Sequence, residues 1–364
     1  MKAALSFVLF GLASVCFGQT VIEFNGIQEE PIFKLKEDSV QYSRIQSALN
    51  KSFVDSANRA KRDSLFQLMF TLTRPDKVVG FRRVYRANPD FFQFENLSDH
   101  TDFEQIQELS LSGKKIKKVP AEVFKCKNLE VLQLVNTSLS KINRKVNRLS
   151  ALKMIIVYNN KTSKSLKLKK NINVETLVIR GDQPHYLPRS YKNFKALVKL
   201  DLSNNAITEF PNGANRNKKL KELILINNAI TLKGNEIRPN LHLEKLDLIK
   251  NQISKVPSSI GNLPNLKTLK FNYNNITEIA PEISLLQNME SLSLYNNQLT
   301  TIPAGVYQLK SLKQIDLYYN QIDRFDERII EWQNLEVLYL AYNKLFSLPD
   351  NLGKLKNLQE LYPS

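Results

Sequence analysis

From residue 106 onward, apolar and polar positions recur in one frame, L-x-x-L-x-L-x-x-N-x-L. Leu197, Leu200, Leu202, Asn205 and Ile207 fill it, and so do Leu243, Leu246, Leu248, Asn251 and Ile253. Met289, Leu292, Leu294, Asn297 and Leu299 repeat it, as do Leu335, Leu338, Leu340, Asn343 and Leu345. The first apolar positions are Ile106, Leu129, Leu152, Val174, Leu197, Leu220, Leu243, Leu266, Met289, Leu312, Leu335 and Leu358. They lie 23 residues apart, except for 22 between Leu152 and Val174. Alternation with period two inside L-x-x-L-x-L predicts a short strand with one buried face. One unit cannot bury its leucines alone. Stacked units can, and their strands then join into one parallel sheet.

The second half of many units carries an apolar residue followed by proline: Val119-Pro120, Phe210-Pro211, Val256-Pro257, Ile302-Pro303 and Leu348-Pro349. With the frame above, this resembles the 23-residue class of the leucine-rich repeat family, as found in bacterial exported proteins. The resemblance covers residues 106–364, as about eleven units and a truncated twelfth. It implies an α/β fold: a right-handed solenoid with a curved parallel β-sheet on its concave face. For function it implies a class, a binding scaffold, and no particular ligand.

The turn after each strand would bury unpaired backbone groups. An asparagine side chain offers both donors and an acceptor for them. Asn160, Asn205, Asn228, Asn251, Asn274, Asn297, Asn320 and Asn343 are expected to form such a ladder, and Lys114, Thr137 and Asp182 to interrupt it.

Residues 1–18 read as an export signal: Lys2, an apolar run from Ala3 to Val15, and a cut after Gly18. Its removal would leave Cys126 as the one thiol and no segment able to span a membrane. The protein is then expected in the periplasm, on the outer surface or in the medium. Cys126 falls where Leu263 stands in another unit, so it reads as a buried small apolar residue. Residues 19–105 lack the repeat. Apolar spacing over 41–70 predicts one or two amphipathic helices, and Phe81, Tyr85, Phe91, Phe92 and Phe94 follow in a loop-rich stretch. This region reads as a mainly helical cap for the first repeat, with a separate functional domain as the alternative. At the other end, Leu358 begins a unit that stops at Ser364 without a polar cap, which leaves self-association through that end open.

The residues alternating with the buried leucines should point out of the concave face, where repeat proteins bind. Apolar residues gather there: Val131, Val135, Met154, Ile156, Tyr158 and Val178 in one patch, and Ile224, Ile226 and Ile249 in a second. Tyr295, Tyr318 and Tyr339 form a third, with Tyr273, Tyr319 and Tyr342 on its rim and Gln314 and Asp316 beside it. Tyrosine joins a large apolar ring to a hydroxyl with few rotors, which suits protein interfaces and sugar stacking. The alternative is that large β-formers are simply tolerated in these strands.

Charge changes the picture at one place. The net charge is +17, and residues 111–170 hold 14 Lys and 2 Arg against Glu122 and Glu130. Lys114, Lys115, Lys117, Lys118, Lys141, Arg144, Lys145, Lys161, Lys164, Lys167, Lys169 and Lys170 make up most of this excess and fall mainly outside the strands. Two readings stand: a solvated flank, or attraction to an anionic glycan or lipopolysaccharide. Export argues against nucleic acid, and no nucleic-acid-reading motif occurs.

No catalytic motif appears. His100, His185 and His242 are far apart, and Asp201, Asp247 and Asp316 share a column without adjoining. No catalytic residue, metal or cofactor is expected. The sequence therefore points to a non-enzymatic exported module that binds a protein, or a glycan, on its concave face. The alternatives are a passive envelope scaffold, or an enzyme in the N-terminal region.

Overall fold

The computed structural model describes residues 27–33, 78–85 and 92–93, a few positions between 37 and 45, and residues 103–362 apart from 114–115, 161–165, 182–188, 212, 214–215 and 235. The chain divides into two compact units, Met1–Phe91 and Phe92–Ser364.

In the first unit, strand Ile27–Phe33 pairs antiparallel with Val78–Tyr85, with Ile27 opposite Tyr85 and a register shift at Phe33. Phe81 and Tyr85 thus belong to a strand, not to the loop expected of them. The spacing of aromatics there was strand-like, but no repeat marked it. Positions 41, 44 and 45 are helical; most of the helical expectation over 41–70, and the signal over 1–18, lie outside the described residues. A mainly helical cap is therefore not what the described part of this unit shows.

The second unit is built on a thirteen-stranded parallel sheet. Its regular strands follow the repeat: Glu108–Ser112, Val131–Val135, Met154–Tyr158, Thr176–Arg180, Lys199–Asp201, Glu222–Ile224, Lys245–Asp247, Thr268–Lys270, Ser291–Ser293, Gln314–Asp316, Val337–Tyr339 and Glu360–Tyr362. A further strand, Phe92–Gln93, precedes them and pairs in parallel with Glu108–Ser112, so the sheet begins ahead of the first full repeat. Each strand pairs with the equivalent residues of the next unit, as Leu223 pairs with Leu246 and Leu246 with Leu269. The frame leucines stand on one face and are almost wholly enclosed; Leu200, Leu223, Leu246 and Leu269 are each 0 % exposed. Replacing one by alanine would cost about 2–5 kcal/mol. Cys126 is buried in this core, as its place in the repeat predicts.

Short 3-10 turns, such as Arg144–Arg148, Ser258–Asn262 and Glu327–Glu331, close the units on the side away from the sheet. The helical component is therefore slight. Two small parallel ladders lie behind the turns: Lys141–Ile142 with Lys167–Leu168, and Lys255–Val256 with Glu278–Ile279.

The asparagine ladder is present. Asn251 Nδ2 donates to the carbonyls of Leu225 and Leu248, both at 3.0 Å, and its Oδ1 accepts from Ile230 N–H at 3.0 Å. Asn274, Asn297 and Asn320 repeat this pattern. Thr137, expected to interrupt it, instead donates its hydroxyl to Asn160 Oδ1 at 3.2 Å. Asn205 donates to Ile179 and Leu202 carbonyls, but its buried Oδ1 finds no donor. The other rungs take an N–H from the residue 21 positions earlier; for Asn205 that residue is Pro184, which has none.

Candidate binding surface

The strands position their intervening side chains on the sheet face turned away from the leucine core, in columns set by the parallel register. One column runs Val178, Asp201, Ile224, Asp247, Lys270, Ser293, Asp316, Tyr339 and Tyr362.

The middle of this column is polar and enclosed. Asp201 forms an ion pair with Arg180 of the preceding strand and accepts from Ser203 N–H at 2.9 Å. Burial alone would raise the Asp201 pKa; the Arg180 charge and hydrogen bonds outweigh it, and the carboxyl sits below its ordinary value. Asp247 has the opposite balance. Burial dominates, Lys270 and Lys245 offset only part of it, and its pKa is raised. Burial likewise lowers the Lys270 pKa, opposed by Asp247. Asp316 is half-buried and accepts from Ser293 Oγ at 3.0 Å, while Gln314 is exposed.

Beyond the polar stretch, the tyrosines form one array. Tyr295 and Tyr318, 8 % and 7 % exposed, are packed with Ala341 in a cluster separate from the leucine core, and Tyr273, Tyr319 and Tyr339 pack against it. The Tyr273 and Tyr295 rings meet edge-on at 4.9 Å, and Tyr318 lies 5.1 Å from Tyr319 and 5.0 Å from Tyr342. Tyr319 stacks on Tyr342 at 4.3 Å, and Tyr339 stacks on Tyr362 at 4.8 Å. The array is closed at its centre and open at Tyr342 and Tyr362, which are 58 % and 46 % exposed. Burial raises the pKa of Tyr319 and Tyr339, so both stay neutral phenols at physiological pH.

The rim tyrosines share a feature that the hydrophobic pattern does not reveal. The eighth residue of every full repeat has positive φ: Gly113, Asn136, Asn159, Gly181, Asn204, Asn227, Lys250, Tyr273, Asn296, Tyr319 and Tyr342. Glycine and asparagine suit this left-handed conformation; a bulky ring does not. Tyr273, Tyr319 and Tyr342 hold it at φ 58°, 54° and 58°. At Gly181 the space is also tight, since a Cβ there would meet the Tyr158 ring at 3.0 Å. Lys250 occupies the same position beside Tyr273 and holds its ammonium 5.6 Å from that ring's centre.

The two apolar patches are assembled as well. Val131 pairs with Met154, Ile156 lies opposite Val178, and Val135 lies opposite Tyr158. Met154, Ile156 and Tyr158 are 5 %, 5 % and 8 % exposed, so they offer far less surface than the sequence suggests. Ile224 and Ile249 are similarly enclosed.

Of the basic residues, Lys117, Lys118, Lys141, Arg144, Lys145, Lys167, Lys169 and Lys170 are exposed and lie outside the main sheet. Lys114, Lys115, Lys161 and Lys164 fall outside the described residues.

Sequence reasoning missed a second set of asparagines, placed just before the first apolar residue of the frame. Asn128, Asn265, Asn288, Asn334 and Asn357 each donate Nδ2 to a carbonyl 24 residues earlier, at 2.7–3.1 Å. The recurring Asn-Leu and Asn-Met dipeptides were the available signal. The Arg180–Asp201 pair was also missed, because nothing in spacing alone distinguishes it.

Among the described residues, no helix is long and apolar enough to cross a membrane. The leucine-rich repeat family models match residues 242–284, 287–328 and 334–355. No curated protein matches the sequence. Among solved structures, a leucine-rich repeat protein of Leptospira interrogans is similar at 28 % identity and a TM-score of 0.62, over 74 % of this chain and 69 % of that one. The Drosophila Toll–Spätzle complex is similar at 17 % identity and a TM-score of 0.50, over 71 % of this chain and 44 % of that chain. The functional domain of InlJ from Listeria monocytogenes gives 19 % identity and a TM-score of 0.48, over 71 % and 56 %. The likeness to the Toll–Spätzle complex concerns the fold alone. The matched models mark leucine-rich repeats within residues 242–355, and the recurring frame with the parallel register that follows it carries the same unit back to residue 106.

Proposed function

We propose that the protein is a non-enzymatic binding module whose last repeats, on the sheet face away from the core, grip a protein ligand. The observation that carries this reading is the array of seven tyrosines from Tyr273 to Tyr362, closed at Tyr295 and Tyr318 and open at Tyr342 and Tyr362. An anchored ring loses little side-chain freedom on binding and offers a large apolar face with a polar tip. Three rim rings are held on left-handed backbone, a conformation costing about 1–3 kcal/mol for a bulky residue, and such outliers cluster at ligand clamps. Gln314 and Asp316 lie beside the rings and would supply polar specificity. The apolar export segment at residues 1–18 would take the module out of the cytoplasm to meet such a ligand.

The test is capture by the full chain, followed by titration with the purified captured protein. Tyr342→Ala with Tyr362→Ala should weaken saturable binding at least tenfold while the melting temperature stays near the parent's. Unchanged affinity in that folded variant would reject the tyrosine face as the site.

A further inference from the structure

Repeats two and three carry a surface that the tyrosine array does not use. In the small ladder behind their turns, the register sets Lys141 directly opposite Lys167. The equivalent ladder further along sets Lys255 opposite Glu278, and the two form an ion pair at 2.6 Å. Later repeats also bind to one another through Lys199–Glu222, Lys221–Glu244 and Lys313–Glu290. Among the described residues, Lys141, Lys145, Lys167, Lys169 and Lys170 are exposed and join no ion pair. Like charges directly opposite across a ladder destabilise it, so a lysine pair there asks for an anion from outside.

We propose that this flank docks on the phosphate headgroups of an anionic phospholipid bilayer. Residues 111–170 carry 14 Lys but only 2 Arg. Lysine is a compact, hydrated point charge suited to a plane of phosphates, whereas paired recognition of single carboxylates or phosphates favours the arginine fork. The flank also lacks a stacking platform. Among its described residues, Phe124 is half-buried, and Tyr158 is enclosed on the sheet face. Sugars and unstacked bases are commonly held by exposed aromatic rings, so a surface read by charge alone fits best. The tyrosine array belongs to repeats eight to twelve, so the two surfaces share no residue.

The experiment is co-sedimentation of the full chain with vesicles of phosphatidylglycerol and phosphatidylcholine, against vesicles of phosphatidylcholine alone. Affinity for the anionic vesicles should be at least tenfold higher, and should fall at least tenfold between low and high salt. Lys167→Glu with Lys169→Glu and Lys170→Glu should lower it tenfold or more. Lys167→Glu alone should keep or raise the melting temperature, because it sets opposite charges across the ladder. The triple variant should likewise keep the parent's melting temperature, so its loss of binding is not loss of fold. These reversals also separate the flank from the apolar segment at residues 3–15, whose insertion would not depend on them. Equal binding to both vesicle types, or full binding by the triple variant, overturns the proposal. So does tight binding to heparin without binding to vesicles, which would assign the flank to a polysaccharide. Tyr342→Ala should leave vesicle binding unchanged, whatever it does to a protein ligand.

Discussion

Tyr319 and Tyr342 stack ring on ring, 4.3 Å apart and 8° from parallel, and both hold left-handed backbone in consecutive repeats. The strain of the backbone and the gain from stacking oppose each other, at about 1–3 and 0.5–1.5 kcal/mol respectively. Tyr342→Asn removes both and suits the left-handed position. Its stability should lie within about 1 kcal/mol of the parent's, or above it, by urea denaturation. Affinity for a protein ligand should fall in the same variant.

Asn251→Leu should destabilise by about 2–4 kcal/mol, since two carbonyls and the Ile230 N–H lose their partner in a buried turn. Asn205→Leu should cost less, because the Asn205 oxygen already has no donor. Denaturant midpoints of the two variants check the order. Equal losses would mean that the N–H contact contributes little.

Asp201 and Asp247 should respond to pH with opposite signs. The Asp201 pKa is lowered in the folded protein, so its contribution is present above the unfolded value near 3.8 and is lost as pH falls through the folded value. The Asp247 pKa is raised, so below 3.8 it carries no penalty, and a penalty develops as pH rises through the folded value. At pH 7, Asp201→Asn should therefore destabilise, while Asp247→Asn should stabilise. Melts at pH 4 and pH 7 should show the Asp247→Asn gain shrinking in acid.

Tyr307 stacks on Trp332 at 5.1 Å beneath Arg328, and Trp332 Nε1 donates to the Val306 carbonyl at 3.0 Å. Burial pushes the Tyr307 pKa up to about 12. Its proton favours the folded state fully below the unfolded value of 10.0, and that contribution is lost between there and about 12. Tyr307→Phe should thus flatten the loss of stability at high pH. Trp332, the one tryptophan, is 0 % exposed and gives the readout: its fluorescence should shift to the red only on unfolding.

Cys126 is buried, and burial raises its thiol pKa. A thiol reagent should leave Cys126 untouched in the native protein and label it once unfolded.

The repeat was legible because Leu223, Leu246 and their equivalents answer to one local rule, period two inside a fixed interval. Asn251 was legible for the same reason, since a buried turn needs a side chain with both donors and acceptors. The tyrosine array was half legible. Its members could be named, but the closeness of Tyr295 and Tyr318 depends on how neighbouring strands stack, and the left-handed backbone at Tyr319 is a property of the turn. Strand Phe92–Gln93 was missed because its partner, Glu108–Ser112, is set by register and not by the 23-residue interval. The antiparallel pair at Ile27 and Tyr85 joins positions too far apart in sequence for local periodicity to reveal.

The idle oxygen of Asn205 has a mechanical meaning. A stack whose members hold only their neighbours is as cooperative as its thinnest junction. The Asn205 rung lacks the N–H contact that the Asn251 rung makes, so the coupling between adjoining turns is weaker there than at Asn251. The basic coils and the tyrosine coils lie on opposite sides of that seam, so each could loosen or re-form while the other kept its grip.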